Sequence, residues 1–275
     1  MASMQTPAEA GRTPLIAGNW KMNLDHLQAT HFVQKLDWIL RDAKHDYDAV
    51  EVAVLPPFTD LRSVQTLVEA DKMRLKYGAQ DLSTHTFGPF TGEISGEFLA
   101  KLRCTYVVVG HSERREHHGE SDELVNRKTL AAFSHGLTPI LCIGESLAVR
   151  REGHAIPFVL EQLRAGLFDV RREHLSDIVI AYEPVWAIGT GEVATPEDAQ
   201  QVCEAIRYFV ADISNDAVAD RTRVIYGGSV KARNIAALMA QTDIDGALVG
   251  GASIDPEEFG TICRYQKHLT EHASA

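Results

Sequence analysis

The stretch IVIAYEPVW, residues 178–186, decides how this chain is read. Ile178–Tyr182 is an apolar run without polar alternation, the pattern of a strand buried on both faces. Pro184 ends it, because proline cannot donate the next ladder hydrogen bond. Glu183 is therefore aimed out of a strand end, where a carboxylate is costly to bury without a task or a partner. A strand covered on both sides implies a parallel sheet flanked by helices.

The rest of the chain repeats the device. Further apolar runs stand at Leu15–Gly18, Val50–Leu55, Leu75–Ala79, Tyr106–Gly110, Pro139–Ile143, Val224–Tyr226 and Ala247–Val249. Amphipathic stretches lie between them. Leu24–Leu40 carries Leu27, Phe32, Val33, Leu36, Ile39 and Leu40 at helical spacing, and Ala199–Val210 does the same with Val202, Ile206, Phe209 and Val210. Thr195-Pro196-Glu197-Asp198 and Asp255-Pro256-Glu257-Glu258 each read as a helix start: a capping side chain, proline in the first turn and acids at the positive end of the dipole. Eight alternations with no Gly-, Ser- or Pro-rich linker favour one closed (β/α)8 barrel of parallel strands ringed by helices. The competing architecture is an open doubly wound sheet, but no G-x-G-x-x-G follows the first strand.

Bulk properties agree with a single barrel domain over residues 14–275, preceded by a flexible tail over residues 1–13. At 275 residues, 45% hydrophobic and 24% charged, the chain can bury a large core. Its formal net charge of −11 argues against nucleic-acid binding. Cys104, Cys142, Cys203 and Cys263 form no C-x-x-C pair, so no zinc or dithiol motif is indicated, and their apolar settings suit a reducing cytoplasm. The opening MASMQTPAEAGRT lacks the apolar core of a secretion signal, and no segment reads as membrane-spanning.

In a barrel the chemistry gathers at the C-terminal ends of the strands. Those ends deliver Asn19 and Lys21 from the first strand, Gln80-Asp81 from the third, His111 from the fourth, Gly144-Glu145 from the fifth and Glu183 from the sixth. The seventh ends in Gly227-Gly228-Ser229 and the eighth in Gly250-Gly251. Each alone has an ordinary structural explanation: a solvated lysine, a packed histidine, simple glycine turns. Of the other histidines, His26, His45, His135 and His174 read as surface residues. Together, however, a base, a cation and a neutral donor beside glycine-rich anion loops suit proton abstraction next to a carbonyl. Glu183 would take the proton, and Lys21 and His111 would stabilise the enediolate. Neither H-x-x-x-H nor G-x-x-x-x-G-K-[ST] is present, and the chemistry calls for neither metal nor nucleotide cofactor. Pro184–Gly191 has the makings of a lid, with Trp186 and Ile188 to pack down and glycines at its end.

The segments AGNWKMN (17–23), VVGHSERR (108–115), AYEPVWAIGTG (181–191), YGGSVK (226–231) and DGALVGGAS (245–253) resemble the signature segments of the triosephosphate isomerase family. The resemblance runs in order from Pro14 to Ile262. It implies a TIM barrel and the interconversion of dihydroxyacetone phosphate and D-glyceraldehyde 3-phosphate, a step of glycolysis and gluconeogenesis. It implies Lys21 as the electrostatic group, His111 as a neutral electrophile and Glu183 as the base, roles for which this family is a standing example. Glu113 takes a supporting part beside the lysine. Asn19 is implied as a substrate ligand, and Gly189, Ser229, Gly250 and Gly251 as phosphate contacts. A homodimer is implied through the loop Gln80–Ser95, with Thr91 reaching toward the partner's site. Pro89 and His117-His118 depart from the family's usual pattern, which bears on the detail and pH sensitivity of that dimer.

Two other functions fit parts of the pattern. An aldolase would use Lys21 as a Schiff-base nucleophile, yet no second lysine lies nearby in sequence to activate it. A non-catalytic binding protein on a barrel scaffold would not need Lys21, His111 and Glu183 intact together.

Overall fold

The computed structural model describes residues 11–188 and 194–267. Among these residues eight strands close a barrel in chain order: β1 (Leu15–Asn19), β2 (Glu51–Leu55), β3 (Lys76–Ala79), β4 (Tyr106–Val109), β5 (Thr138–Ile143), β6 (Val179–Tyr182), β7 (Arg223–Tyr226) and β8 (Gly246–Val249). Neighbours are parallel throughout, and β1 pairs with both β2 and β8. The open-sheet alternative is thereby excluded. The helices are α1 (His26–Asp42), α2 (Leu61–Ala70), α3 (Gly96–Lys101), α4 (Ser112–His118), α5 (Asp122–Ser134), α6 (Leu147–Arg151), α7 (Ala155–Gly166), α8 (Pro196–Ile213), α9 (Asp216–Ala219), α10 (Ile235–Met239) and α11 (Pro256–Cys263).

The anticipated helix starts are realised. Thr195 caps α8 in a reciprocal capping box with Asp198, and Asp255 caps α11 by accepting the N–H groups of Glu257 and Glu258. Both helices carry proline in the first turn, where its missing N–H has no intrahelical partner to lose.

The two-residue period of the strands sorts their side chains into two cores. Leu15, Ala17, Ala53, Leu55, Tyr106, Val108, Ile140, Cys142, Val179, Ala181, Ile225 and Leu248 fill the barrel interior. Ile16, Val52, Val54, Val107, Val109, Leu141, Ile180, Val224 and Val249 pack outward into the cluster shared with the helices. That double burial is why the strands read as unbroken apolar runs. The floor of the barrel is polar: Arg223 binds Glu51 at 3.0 Å and Tyr106 Oη at 2.9 Å, and that hydroxyl also donates to Glu51.

Three of the four histidines expected at the surface are half-buried instead. His45 Nε2 lies 2.9 Å from the Val50 carbonyl, His174 stacks on Phe133 at 4.4 Å, and His135 packs against Gly96. Tertiary neighbours, invisible locally in sequence, cover these rings.

Candidate active site

Continuing the inward parity one step past the last apolar layer gives Asn19 on β1, Gly144 after β5, Glu183 after β6, Gly227 after β7 and Gly250 after β8. Glu183 thus follows Val179 and Ala181 on the inner face, between two glycines on the flanking strands. Those glycines make its room. A Cβ on Gly227 would stand 2.8 Å from Glu183 Cγ, and one on Gly144 would stand 1.6 Å from the Glu183 carbonyl oxygen. In the sequence both are simply strand-end glycines; only barrel closure makes them the slot for the carboxylate.

Glu183 is 2% exposed, so the carboxylate aimed from the strand end is buried. Its Oε2 accepts the Ser112 backbone N–H at 3.0 Å, at the start of α4, where unpaired N–H groups and the helix dipole favour an anion. Its Oε1 lies 3.1 Å from His111 Nε2, off the direction needed for a hydrogen bond, and accepts no hydrogen bond from a described residue. The Cys142 thiol lies beneath, pushed well above its usual pKa first by burial and then by the Glu183 carboxylate.

His111 is the N-cap of α4, and its Nδ1 accepts the Glu113 N–H at 3.2 Å. An accepting Nδ1 carries no proton, so the neutral ring holds its proton on Nε2, facing Glu183 and the cavity. Lys21 reaches the same space from β1. Its backbone is left-handed, at φ 54°, a conformation that costs about 1–2 kcal/mol for a residue with a Cβ. Two side chains hold it there: Asn19 Oδ1 accepts the Lys21 N–H at 3.0 Å, and Gln80 Nε2 donates to the Lys21 carbonyl at 2.8 Å. Gln80 also donates to Leu55 O at 2.8 Å. No local pattern in the sequence marks this clamp, because Gln80 follows β3 whereas Asn19 and Lys21 stand at the end of β1.

Lys21 Nζ pairs with Glu113 Oε1 at 2.5 Å. A Schiff-base lysine works as a neutral amine, so an ion-paired Lys21 is unsuited to the aldolase reading. A cavity of about 350 Å³ joins Asn19, Lys21, His111, Glu113 and Glu183 to Gly227–Lys231 and Gly250–Ala252. Ile188 also lines it. Of the expected site residues, Ser229, Gly250 and Gly251 are therefore gathered with the titratable groups, whereas Gly189 lies outside the described residues. Gly250 abuts Lys21, its Cβ position 3.4 Å from Lys21 Cε, while a Cβ on Gly251 would meet nothing within 4 Å among the described residues.

A sequence model of the triosephosphate isomerase family matches residues 14–266. The chain belongs to the triosephosphate isomerase family. A triosephosphate isomerase of Streptomyces coelicolor is 61% identical over 255 residues, covering 93% of this chain and 98% of that protein. A triosephosphate isomerase of Mycobacterium tuberculosis strain H37Rv is 59% identical over 251 residues, covering 91% and 95%. The fold expected of a triosephosphate isomerase, the closed barrel, is the one observed.

The segment after Glu183 is anchored at its start. Val185 N–H donates to Glu145 O at 3.1 Å, and Trp186 Nε1 donates to Glu145 Oε1 at 2.8 Å. Arg150 lies over the Trp186 ring at 4.8 Å and binds Asp198 at 2.6 Å. The remainder of the expected lid, Gly189–Gly191, lies outside the described residues. Among the described residues no helix is long and apolar enough to cross a membrane.

Proposed function

We propose that this protein interconverts dihydroxyacetone phosphate and D-glyceraldehyde 3-phosphate. The observation that carries the reading is the meeting of the Glu183 carboxylate and the His111 imidazole, 3.1 Å apart, in a cavity shared with Lys21 and glycine-rich loops. The two triose phosphates are isomers, so the reaction moves protons and leaves the electron count unchanged.

Glu183 takes a proton from the carbon beside the carbonyl. The C–H electron pair becomes the enediolate double bond, and the carbonyl π pair moves onto oxygen. The Lys21 ammonium and the His111 Nε2–H donate to that oxygen, acting as groups already oriented before charge develops. Glu183 returns the proton to the neighbouring carbon, and transfer of the hydroxyl proton between the two oxygens restores a carbonyl one atom along. Glu113 holds the ammonium of Lys21. Asn19, Lys21, Gly189, Ser229, Gly250 and Gly251 bind the substrate, the glycines and Ser229 at its phosphate. Pro184–Ile188, tied down by Glu145, is the anchored end of a cover that keeps water from the enediolate.

The protein acts as one catalytic barrel over residues 14–275, in the cytoplasm, serving glycolysis and gluconeogenesis. It pairs as a homodimer through Gln80–Ser95. Phe87 at the tip of that loop is 81% exposed, a large apolar side chain suited to burial by a second copy. Sedimentation over a concentration series that finds monomer alone would remove the dimer.

A coupled assay of wild type beside Glu183→Gln tests the reaction. The amide cannot accept the carbon proton, and turnover falls roughly 10²–10⁴-fold, the range for loss of general-base catalysis. Near wild-type turnover in a folded variant means Glu183 is not the base.

A further inference from the structure

Lys231 lines the same cavity, two residues past Ser229 at the phosphate end. Its side chain is exposed, and its ammonium makes no ion pair with a described residue. The other cation of the cavity, Lys21, is committed to Glu113, while Glu113 and Glu183 both bring negative charge. Without Lys231 the mouth would be net negative, on a chain whose formal charge is already −11. A triose phosphate arrives carrying close to two negative charges, so the far field of this protein opposes its approach. Backbone N–H groups of glycine loops hold a phosphate at contact distance, but their partial charges do little to a ligand still in solvent.

We propose that Lys231 is a binding residue that steers the substrate phosphate into the mouth, supplying the uncommitted positive charge of the site among its described residues. This rests on the isomerase reading above. It assigns Lys231 no part in the proton transfers: its task ends once the phosphate is seated. A unit charge about 8 Å from a dianion in a water-like medium changes the encounter rate about five-fold. Screening sets in over the same length, about 8–10 Å at ordinary ionic strength, so the effect belongs to low salt.

The test compares wild type with Lys231→Gln, Lys231→Glu and Lys231→Arg. It measures kcat and kcat/KM against ionic strength and, separately, calorimetric binding of inorganic phosphate. Lys231→Gln is expected to lower kcat/KM about five-fold at low salt with kcat at saturation held within two-fold, the difference closing as salt rises. Lys231→Glu should fall further, and Lys231→Arg should keep the wild-type salt slope. Phosphate binding should weaken in parallel at low salt. Unchanged kcat/KM and salt slope in Lys231→Gln, or a loss that persists at high salt, overturns the assignment. If wild type shows no isomerase activity, the functional reading fails by itself. The phosphate titrations then decide Lys231 alone: equal low-salt affinity in wild type and Lys231→Gln refutes it.

Discussion

Gly227→Ala isolates the seating of Glu183 from its chemistry. The added methyl would stand 2.8 Å from Glu183 Cγ, 3.4 Å from the Tyr182 carbonyl and 3.6 Å from Glu183 Oε1. Carbon atoms rest about 3.5–4.0 Å apart, so the Glu183 side chain must retreat by ~1 Å. Its 3.0 Å anchor to the Ser112 N–H is then thrown out of alignment. Gly227 has no left-handed φ, so alanine suffers only from crowding. Overpacking of this kind costs the fold about 1–3 kcal/mol, which for a chain of this size lowers Tm by roughly 2–12 °C. The kinetic cost is larger, because misplacing a reacting group by ~1 Å costs about 10²-fold. A coupled isomerase assay should therefore show kcat reduced about 10²-fold in a protein whose circular dichroism remains that of the folded barrel. Gly251→Ala is the contrast: its methyl meets nothing within 4 Å among the described residues, at a position that lines the cavity, so KM should rise with Tm unchanged. Turnover within three-fold of wild type for Gly227→Ala would refute the argument that this glycine makes the slot for the base.

The remaining predictions concern stability. Lys128 is 5% exposed and bridges Asp81 and Glu120, each at 2.6 Å, while Arg114 pairs with the same two carboxylates at 2.9 and 2.6 Å, so Lys128→Met removes one of two shared cations and should cost about 1.5–3 kcal/mol, the range for hydrogen bonds to charged groups; a denaturant midpoint close to wild type would contradict this. Burial lowers the pKa of His45, against a smaller opposing effect of the Val50 carbonyl. Between that lowered value and about 6.5 the unfolded chain binds the extra proton, so stability should fall as pH drops through about 6.5. His45→Gln should flatten that part of the Tm–pH curve, and an unchanged slope would exclude His45 as its source.

The strands were legible because double burial demands unbroken apolar runs. Ile178–Tyr182 and Pro139–Ile143 lie within a residue of the observed β6 and β5. Lys21, His111 and Glu183 were legible from their place just beyond such runs and from long family-like segments around them. Less legible were the residues that hold them. Gln80 reaches Lys21 across 59 positions, and Gly227 and Gly144 press on Glu183 from separate strands. No local periodicity marks such roles: a clamp or a slot exists only once the barrel has closed.

By itself the sequence determined the alternation of strands and helices, the caps at Thr195 and Asp255, and the supply of a lysine, a histidine and a glutamate at strand ends. These depend on hydrophobic period and backbone chemistry within a few residues. Only the tertiary structure decided which of those groups meet, and in what state. Closure of β1 on β8 brings Lys21 against Gly250, and the start of α4 gives Glu183 the Ser112 N–H as a backbone donor. The N–H of Glu113 fixes which nitrogen of His111 carries the proton. Distances of about 3 Å between groups dozens of residues apart are set by sheet register and barrel closure, and these are properties of the whole chain rather than of any segment.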